Sequence, residues 1–301
     1  MVGSSVVREL KKRNYSNILV RSLEDLNLIN QAEVESFFNH EQPEVVIIAA
    51  AKVGGILANN TYRAEFIYDN LMIEANIINA AHKYGCKKLI FLGSSCIYPK
   101  LAPQPLKEEY LLSDYLEDTN EPYAIAKITG IKLCENYYRQ YGSNFYSVMP
   151  TNLFGPNDNF NLETSHVLPA FIRKFHEAKI NNDSSVTIWG SGKPMREFLY
   201  VEDVADALLF LMENVNAKDI YESGISQINV GTGKDISINE LAIMIAKIVG
   251  FNGEILRDDT KPDGTPRKLL DVSRMKSLGW EYKTELQDGI EKTYKWFKEN
   301  M

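Results

Sequence analysis

The sequence predicts an α/β protein built on a doubly wound parallel sheet, with a smaller, partly interleaved second domain for substrate. Three observations carry this. Short apolar runs, residues 44–49 (EVVIIA) and 88–92 (KLIFL), read as strands buried on both faces. Helical stretches separate them, as a crossover between parallel strands requires. Glycines at 85 and 142 sit where they would close two of those helices.

In chain order, the pattern predicts a helix over 2–13, a short strand over 17–21, a helix over 31–39 and a strand over 44–49. One long helix is expected over 60–84. A strand over 88–92 runs into Gly93-Ser94-Ser95, and a helix over 123–141 precedes a strand over 145–149 that ends at Pro150. Beyond Pro150, loops rich in Asn, Gly and Pro separate helices at 167–178, 203–213, 237–249 and 285–299. The expected layout is a nucleotide-binding domain over 1–155, with a return helix near 203–213, and a mainly substrate-binding domain over 156–301. Ligands of such sheets lie beyond the carboxyl ends of the strands. The chemistry is therefore expected after residues 49, 92 and 149.

Composition narrows the function. The 301 residues carry 33 Lys+Arg against 40 Asp+Glu, a net charge of −7, which disfavours non-specific nucleic-acid binding. The longest apolar run, 45–51, is too short to span a bilayer, and no basic start with an apolar core marks a signal peptide. Cys86, Cys96 and Cys134 form no CxxC pair, so neither a disulfide framework nor a metal site is expected. These features predict a cytoplasmic protein with no membrane or nucleic-acid partner.

Two motifs carry chemistry. Tyr123 and Lys127 stand four residues apart, on one face of a helix. An ammonium beside a phenol favours the phenolate, so the tyrosine pKa is expected below its usual ~10. Taken alone, the pair is more often a packed tyrosine beside an exposed lysine. The strand-end run Gly93-Ser94-Ser95-Cys96-Ile97-Tyr98-Pro99 offers a hydroxyl to a substrate carbonyl; alone it is a Ser-rich turn. The two motifs together, about 30 residues apart on the right elements, are far more specific than either.

A strand-end serine followed by YxxxK resembles the extended short-chain dehydrogenase/reductases, whose sheet is of Rossmann type. Further motifs narrow the resemblance: AAAKVGGI (49–56), NNTY (59–62), GSSCIYPK (93–100), NEPYAIAKI (120–128), MPTNLFGP (149–156), WGSGKPMREF (189–198) and KPDGTPRKLLD (261–271). With them the whole chain resembles the GDP-L-fucose synthase family, the 3,5-epimerase/4-reductases of GDP-4-keto-6-deoxy-D-mannose. The resemblance implies NADPH as cofactor, that GDP-sugar as substrate, and a homodimer through the helices at 60–84 and 123–141.

It also implies residue roles. Cys96 and His166 form the epimerisation acid/base pair; both side chains titrate near enough to neutral pH to share a proton. Tyr123 protonates the C4 oxygen, Lys127 holds the nicotinamide ribose and tunes Tyr123, Ser94 orients the carbonyl, and Asn70 supports the site. Gly3, Arg21, Ala50, Leu92, Gly93, Ser94, Ser95, Lys127, Pro150, Asn152, Leu153 and His166 line the cofactor. Lys174, Trp189, Arg196 and Asp263 take the GDP-sugar, where arginine suits a phosphate and tryptophan offers a flat stacking face. Without the resemblance, Cys96 reads as a small buried hydrophobe, His166 as a helix-start surface residue, and each charged residue as solvated.

The sequence departs from the family in two places. A doubly wound domain opens with a strand and a glycine-rich turn, and neither precedes Gly3. Gly3 then matches the last glycine of that turn, the one that lets helix and strand pack closely. In relatives a Gly-Met-Val-Gly stretch spans this region, so Met1 is expected to be an internal methionine. Arg21 is the expected cation for the cofactor's 2′-phosphate, and Leu23 stands where relatives often carry a further arginine. Three other functions compete. A related dehydratase needs an Asp-Glu pair where Ser95-Cys96 stands, and a 4-epimerase has no need of Cys96 with His166. A non-catalytic GDP-sugar-binding protein would bind the sugar nucleotide without NADPH.

Overall fold

The computed structural model describes residues 1–260 and 263–301, with the backbone alone for Ile56. Lys261 and Pro262, the first two residues of the 261–271 motif, lie outside the described residues. The chain opens with α1 (Val2–Lys12) and α2 (Gln31–Glu41). Asn30 caps α2 by accepting from the amides of Ala32 and Glu33. Then come β1 (Val45–Ile48), α3 (Ile56–Thr61), α4 (Arg63–Lys83), β2 (Lys88–Leu92), α5 (Glu121–Tyr141) and β3 (Phe145–Pro150). Pro122 occupies the first turn of α5, where its missing N–H costs no helical bond, and Gly142 ends the helix at φ 72°. The chain continues through β4 (Asn152–Phe154), α6 (Val167–Asn181), β5 (Ser185–Trp189), β6 (Met195–Tyr200), α7 (Val201–Asn214) and α8 (Ala217–Tyr221). It closes with β7 (Ile228–Val230), β8 (Asp235–Ser237), α9 (Ile238–Val249), β9 (Glu254–Asp258), β10 (Arg267–Lys268), α10 (Ser273–Ser277) and α11 (Leu286–Asn300).

The first sheet has the order β1-β2-β3-β7, every pair parallel. Its side chains alternate between two cores, as the period of a strand dictates. Ile90, Tyr146 and Val148 join Val6 of α1 and Leu208 of α7 on one face. Leu89, Phe91 and Phe145 join Ile77 of α4 and Ile131 of α5 on the other. Helices on both faces make the sheet doubly wound, as expected. A third core packs α6, α9 and α11 on β5 and β6 through Phe175, Ile188, Leu241, Ile245 and Phe297. Here β6 lies between β10 and β4, both parallel to it, while β8 joins it antiparallel and β5 pairs with β9.

Three expectations fail. Residues 17–21 form no strand, and Val20 is 60% exposed. A strand needs a ladder neighbour, and among the described residues no strand lies beside this segment. For the same reason β1 is an outer strand, paired only with β2; Val45 is exposed, so the run at 44–49 is not buried on both faces. The long helix at 60–84 is two helices, broken at Tyr62 (φ −106°, ψ 41°), which closes α3 and opens α4.

Candidate active site

The carboxyl end of β2 is held tightly. A Cβ on Gly93 would lie 2.1 Å from the Met149 Cε, so only glycine lets the chain leave the sheet here. Ser94 follows in extended conformation and its Oγ accepts from the Cys96 amide at 3.5 Å, opening a single 3-10 turn that buries Ser95, Cys96 and Ile97. From α5, Tyr123 and Lys127 approach the same place. Tyr123 packs edge-on against Phe66 of α4, with ring centroids 6.4 Å apart. Lys127 is almost fully buried. Its Nζ donates to the Leu92 carbonyl at 3.1 Å, lies 4.6 Å over the Phe91 ring, and stands 2.9 Å from Glu74 Oε1 of α4.

These surroundings correct the expected acid–base character. Tyr123 is held well above its ordinary pKa by burial first, then by the negative charges that Cys96 and Glu74 can carry. The Lys127 ammonium lies 5.7 Å from the Tyr123 ring centroid, and burial outweighs it. Burial also pushes the Cys96 thiol up, against the pull of Lys268, Ser94 and Lys127. His166 opens α6 as its N-cap residue. Restricted solvation lowers its imidazole pKa, and the Lys268 ammonium acts in the same direction. The residue as a whole remains exposed. Neither group of the expected pair therefore keeps its ordinary affinity for a proton.

Asn70 is fully buried and clamps the backbone after β1. Its Oδ1 accepts from the Lys52 amide at 2.9 Å and its Nδ2 donates to the Lys52 carbonyl at 3.1 Å. Ala50 lies in that clamped stretch. Pro150 ends β3 beside β7. Asn152 donates to the Glu197 carbonyl at 2.7 Å, and Leu153 lies beside it in β4. The Glu197 carboxylate is wholly buried and accepts from the amides of Thr232, Gly233 and Leu270 at 2.6–2.8 Å. With the Leu106 amide bonded to the Leu269 carbonyl at 2.7 Å, these bonds hold Lys268 in register with Arg196, facing Cys96 and His166.

A second cluster lies across the cleft. Lys174 of α6 sits 5.3 Å over the Trp189 ring, and burial lowers its pKa. Trp189 ends β5 and is half-exposed. Asp263 accepts from the Ser191 amide at 3.0 Å and the Ser191 hydroxyl at 2.6 Å, tying down the loop after Trp189. Burial lowers the Arg196 pKa while the Asp263 charge raises it. The four expected GDP-sugar residues thus gather around one loop.

At the other end of the expected cofactor groove the fit is looser. Gly3 lies within α1, and nothing stands within 4 Å of where its Cβ would be. The expected close helix–strand packing at Gly3 is absent because no described strand runs beside it. Among the described residues, the amino end of α1 has no side-chain cap and no acidic residue in its first turn. Arg21 ends the unpaired segment, pairs with Glu41 at 2.5 Å and stacks on Phe37.

Sequence reasoning missed two residues. Glu74 reads as an ordinary polar position on a long helix, and only the approach of α5 makes it Lys127's partner. Lys268 sat inside a quoted motif and had no assigned role. Its neighbour Arg267 takes the visible salt bridge, to Asp235.

Comparison with known proteins agrees with this geometry. Residues 1–231 match the model of the NAD dependent epimerase/dehydratase family. The chain is 56% identical to the GDP-L-fucose synthase of Escherichia coli (strain K12) over 302 residues, covering all of this chain and 94% of that one. It superposes with a TM-score of 0.92 on the GDP-mannoheptose C4 reductase of Campylobacter jejuni with NADP bound, at 42% identity, covering 99% of this chain and 95% of the other. It superposes at 0.88 on a GDP-L-fucose synthetase from Naegleria fowleri bound to NADP, at 30% identity, covering 99% and 91%. The chain belongs to the NAD dependent epimerase/dehydratase family, in its GDP-L-fucose synthase branch.

Proposed function

We propose that this chain converts GDP-4-keto-6-deoxy-D-mannose to GDP-L-fucose with NADPH, epimerising C3 and C5 and then reducing C4. The observation that carries this is one cleft in which Ser94, Cys96, Tyr123 and Lys127 at the end of β2 face His166 and Lys268. A reductase alone needs Ser94, Tyr123 and Lys127; the Cys96 thiol and the His166 imidazole add proton exchange at carbon.

NADPH suits the residues present. The amino end of α1 would hold the pyrophosphate, Arg21 would offer a cation to the 2′-phosphate, and Lys127 would hold the nicotinamide ribose, as the family resemblance implies. Bound there, NADPH supplies the hydride that C4 receives. The chain's own residues do the rest. The C4 ketone acidifies the C3 and C5 protons; of Cys96 and His166, one removes each proton and the other returns one to the opposite face. Lys268 lowers the proton affinity of both. Ser94 orients the ketone through its hydroxyl, and Tyr123, held as a phenol by its buried setting, gives the C4 oxygen its proton. Lys174 and Arg196 hold the substrate pyrophosphate, Trp189 stacks on it, and Asp263 accepts from ribose or base.

The layout fits two units, a cofactor unit over 1–155 joined by α7, and a GDP-sugar unit over the remainder to 301. Exposed Tyr62, Tyr68, Ile125 and Tyr141 on α4 and α5, and at their margins, suit a homodimer face. No described helix is long and apolar enough to cross a membrane, and the reading places the enzyme in the cytoplasm. The test is to mix the chain with NADPH and GDP-4-keto-6-deoxy-D-mannose. NADPH should be consumed and GDP-L-fucose formed; unconsumed NADPH, or a different sugar product, overturns the reading.

A further inference from the structure

Two stretches that take no part in either proton transfer touch each other. One is Gly54-Gly55, between β1 and α3; the other is Thr164-Ser165, which leads directly into His166. The Gly55 amide donates to the Thr164 carbonyl at 3.0 Å. A Cβ on Gly55 would lie 2.9 Å from the Ser165 carbonyl oxygen, so the two backbones meet with no room for a side chain. Gly55 keeps an ordinary φ of −67°, so the close approach calls for glycine and the conformation does not. Asn59 of α3 holds this contact from behind. It is 3% exposed, and its Nδ2 donates to the Gly54 carbonyl at 2.8 Å and the Gly55 carbonyl at 3.1 Å. Its Oδ1 is buried with no partner among the described residues, so only the donor end of the amide is in use. On the far side, Asn161 Oδ1 accepts from the amides of Glu163 and Thr164 at 2.8 and 3.2 Å, and the Asn161 carbonyl accepts from the Ser165 amide at 2.9 Å. His166 follows with no side-chain cap bond of its own, so the backbone before it sets its place.

We infer that Asn59 is a positioning residue for His166, holding the peptide between Gly54 and Gly55 against the loop that carries the imidazole. The Gly54 carbonyl and the Gly55 amide belong to one planar peptide group and point in opposite directions. Asn59 fixes the carbonyl side of that plane and Thr164 takes the amide side. A hydrogen bond on one side of a peptide also polarises it and strengthens the bond on the other. Glycines flank the plane, so without the Asn59 donor it is free to turn, and the chain before His166 loses a fixed end. Proton transfer at carbon needs its groups closely placed, and a 1 Å misplacement can cost about 10²-fold. The inference rests on the proposed epimerisation, in which His166 moves a proton.

The test is Asn59→Asp, which keeps the shape of the side chain and removes its donor. Solvent deuterium entry at C3 and C5 of GDP-4-keto-6-deoxy-D-mannose should fall by about 10–100-fold at saturating substrate, while KM for the GDP-sugar stays put. Unmoved deuterium entry in the folded variant overturns the inference, as does a raised KM with exchange at saturation intact. A second readout separates positioning from general loosening. In a chain that already carries His166→Ala, Asn59→Asp should cause little further loss, because the group it positions is gone. A further loss by the same factor overturns the inference and leaves Asn59 a structural group. If Asn59→Asp does not fold, Gly55→Ala presses on the Ser165 carbonyl with Asn59 in place. The same loss of deuterium entry supports the inference there, and full entry overturns it. Backbone amide exchange of the protein alone should quicken over residues 159–166 in Asn59→Asp; unchanged protection there counts against the inference. A parent chain that neither exchanges deuterium nor consumes NADPH defeats the proposed function. The amide exchange needs no substrate and then decides whether Asn59 holds the His166 loop.

Discussion

The two walls of the cleft are built differently. The reduction wall stands on α4, α5 and the end of β2, where Lys127 and Glu74 are sealed from water and Gly93 and Gly130 admit no side chain larger than hydrogen. The facing wall hangs on short strands and loops: His166 at a helix start, half-exposed Trp189, and Lys268 on the two-residue strand β10. The first wall must keep one phenol protonated and aimed at one atom, which rewards rigid burial. The second must admit a GDP-sugar and reach two carbons in turn, which rewards an open cleft. The difference predicts that the two proton chemistries can be separated by substitution.

The largest effect should come from Tyr123→Phe. Loss of a positioned general acid costs about 10²–10⁴-fold, so NADPH oxidation should all but stop. Solvent deuterium should still enter C3 and C5, because Cys96 and His166 remain. Equal loss of both activities would erase the distinction between the walls. The converse experiment is Cys96→Ala or His166→Ala, each expected to block deuterium entry at C3 and C5 by a similar factor, read by mass spectrometry of the recovered sugar nucleotide.

Substitution at the GDP-sugar cluster should act on binding instead. Hydrogen bonds to charged groups contribute about 1.5–3 kcal/mol, so Arg196→Ala should raise KM for the GDP-sugar by roughly 10–100-fold. Deuterium exchange at saturating substrate should change far less. A fall in kcat with KM unmoved would instead put Arg196 with the chemistry.

The sealed wall should also show in stability. The Glu74 carboxyl is raised from 4.5 to about 7, so in this window the unfolded chain ionises before the folded one. The stabilising contribution is complete below about 4.5 and is lost as pH rises to about 7, at no more than about 1.4 kcal/mol per pH unit. Denaturant midpoints of the parent should therefore fall relative to Glu74→Gln across that window and run parallel above it. Parallel curves throughout would mean that the carboxyl is ionised at all these pH values.

The same contrast explains what the sequence made legible. β2 and β3 could be read because a strand buried on both faces is apolar throughout, as in KLIFL, and α5 because Gly142 marks its end locally. Ser94, Tyr123 and Lys127 carry their chemistry in adjacent or i, i+4 positions, so the motif announces the geometry. Glu74 and Lys268 announce nothing: one is 53 residues from Lys127 and the other 172 from Cys96, and their meaning arises only when elements pack. The break at Tyr62 escaped because no glycine or proline marks it. The strand expected at 17–21 failed for the opposite reason. Its β-branched and apolar residues are suited to a ladder, but pairing belongs to a neighbour and not to the segment itself. The lowered pKa expected for Tyr123 left out burial, which raises it first and which the spacing of Tyr123 and Lys127 does not announce.

The smallest predicted effect lies farthest from both walls, at Arg21. Its guanidinium pairs with Glu41 and lies 5.2 Å from the Phe37 ring, half in solvent. An exposed ion pair contributes about 0–1 kcal/mol, so Arg21→Ala should leave folding nearly unchanged. If Arg21 turns toward the 2′-phosphate when the cofactor binds, it must give up Glu41, and the net gain is small because one salt bridge replaces another. KM for NADPH should then rise only several-fold, with KM for NADH unmoved. Glu41→Gln sharpens the argument, since it frees Arg21 without removing it and should lower KM for NADPH. Equal changes for NADPH and NADH in both variants would assign the 2′-phosphate to another cation and make Arg21 a brace for α2 alone.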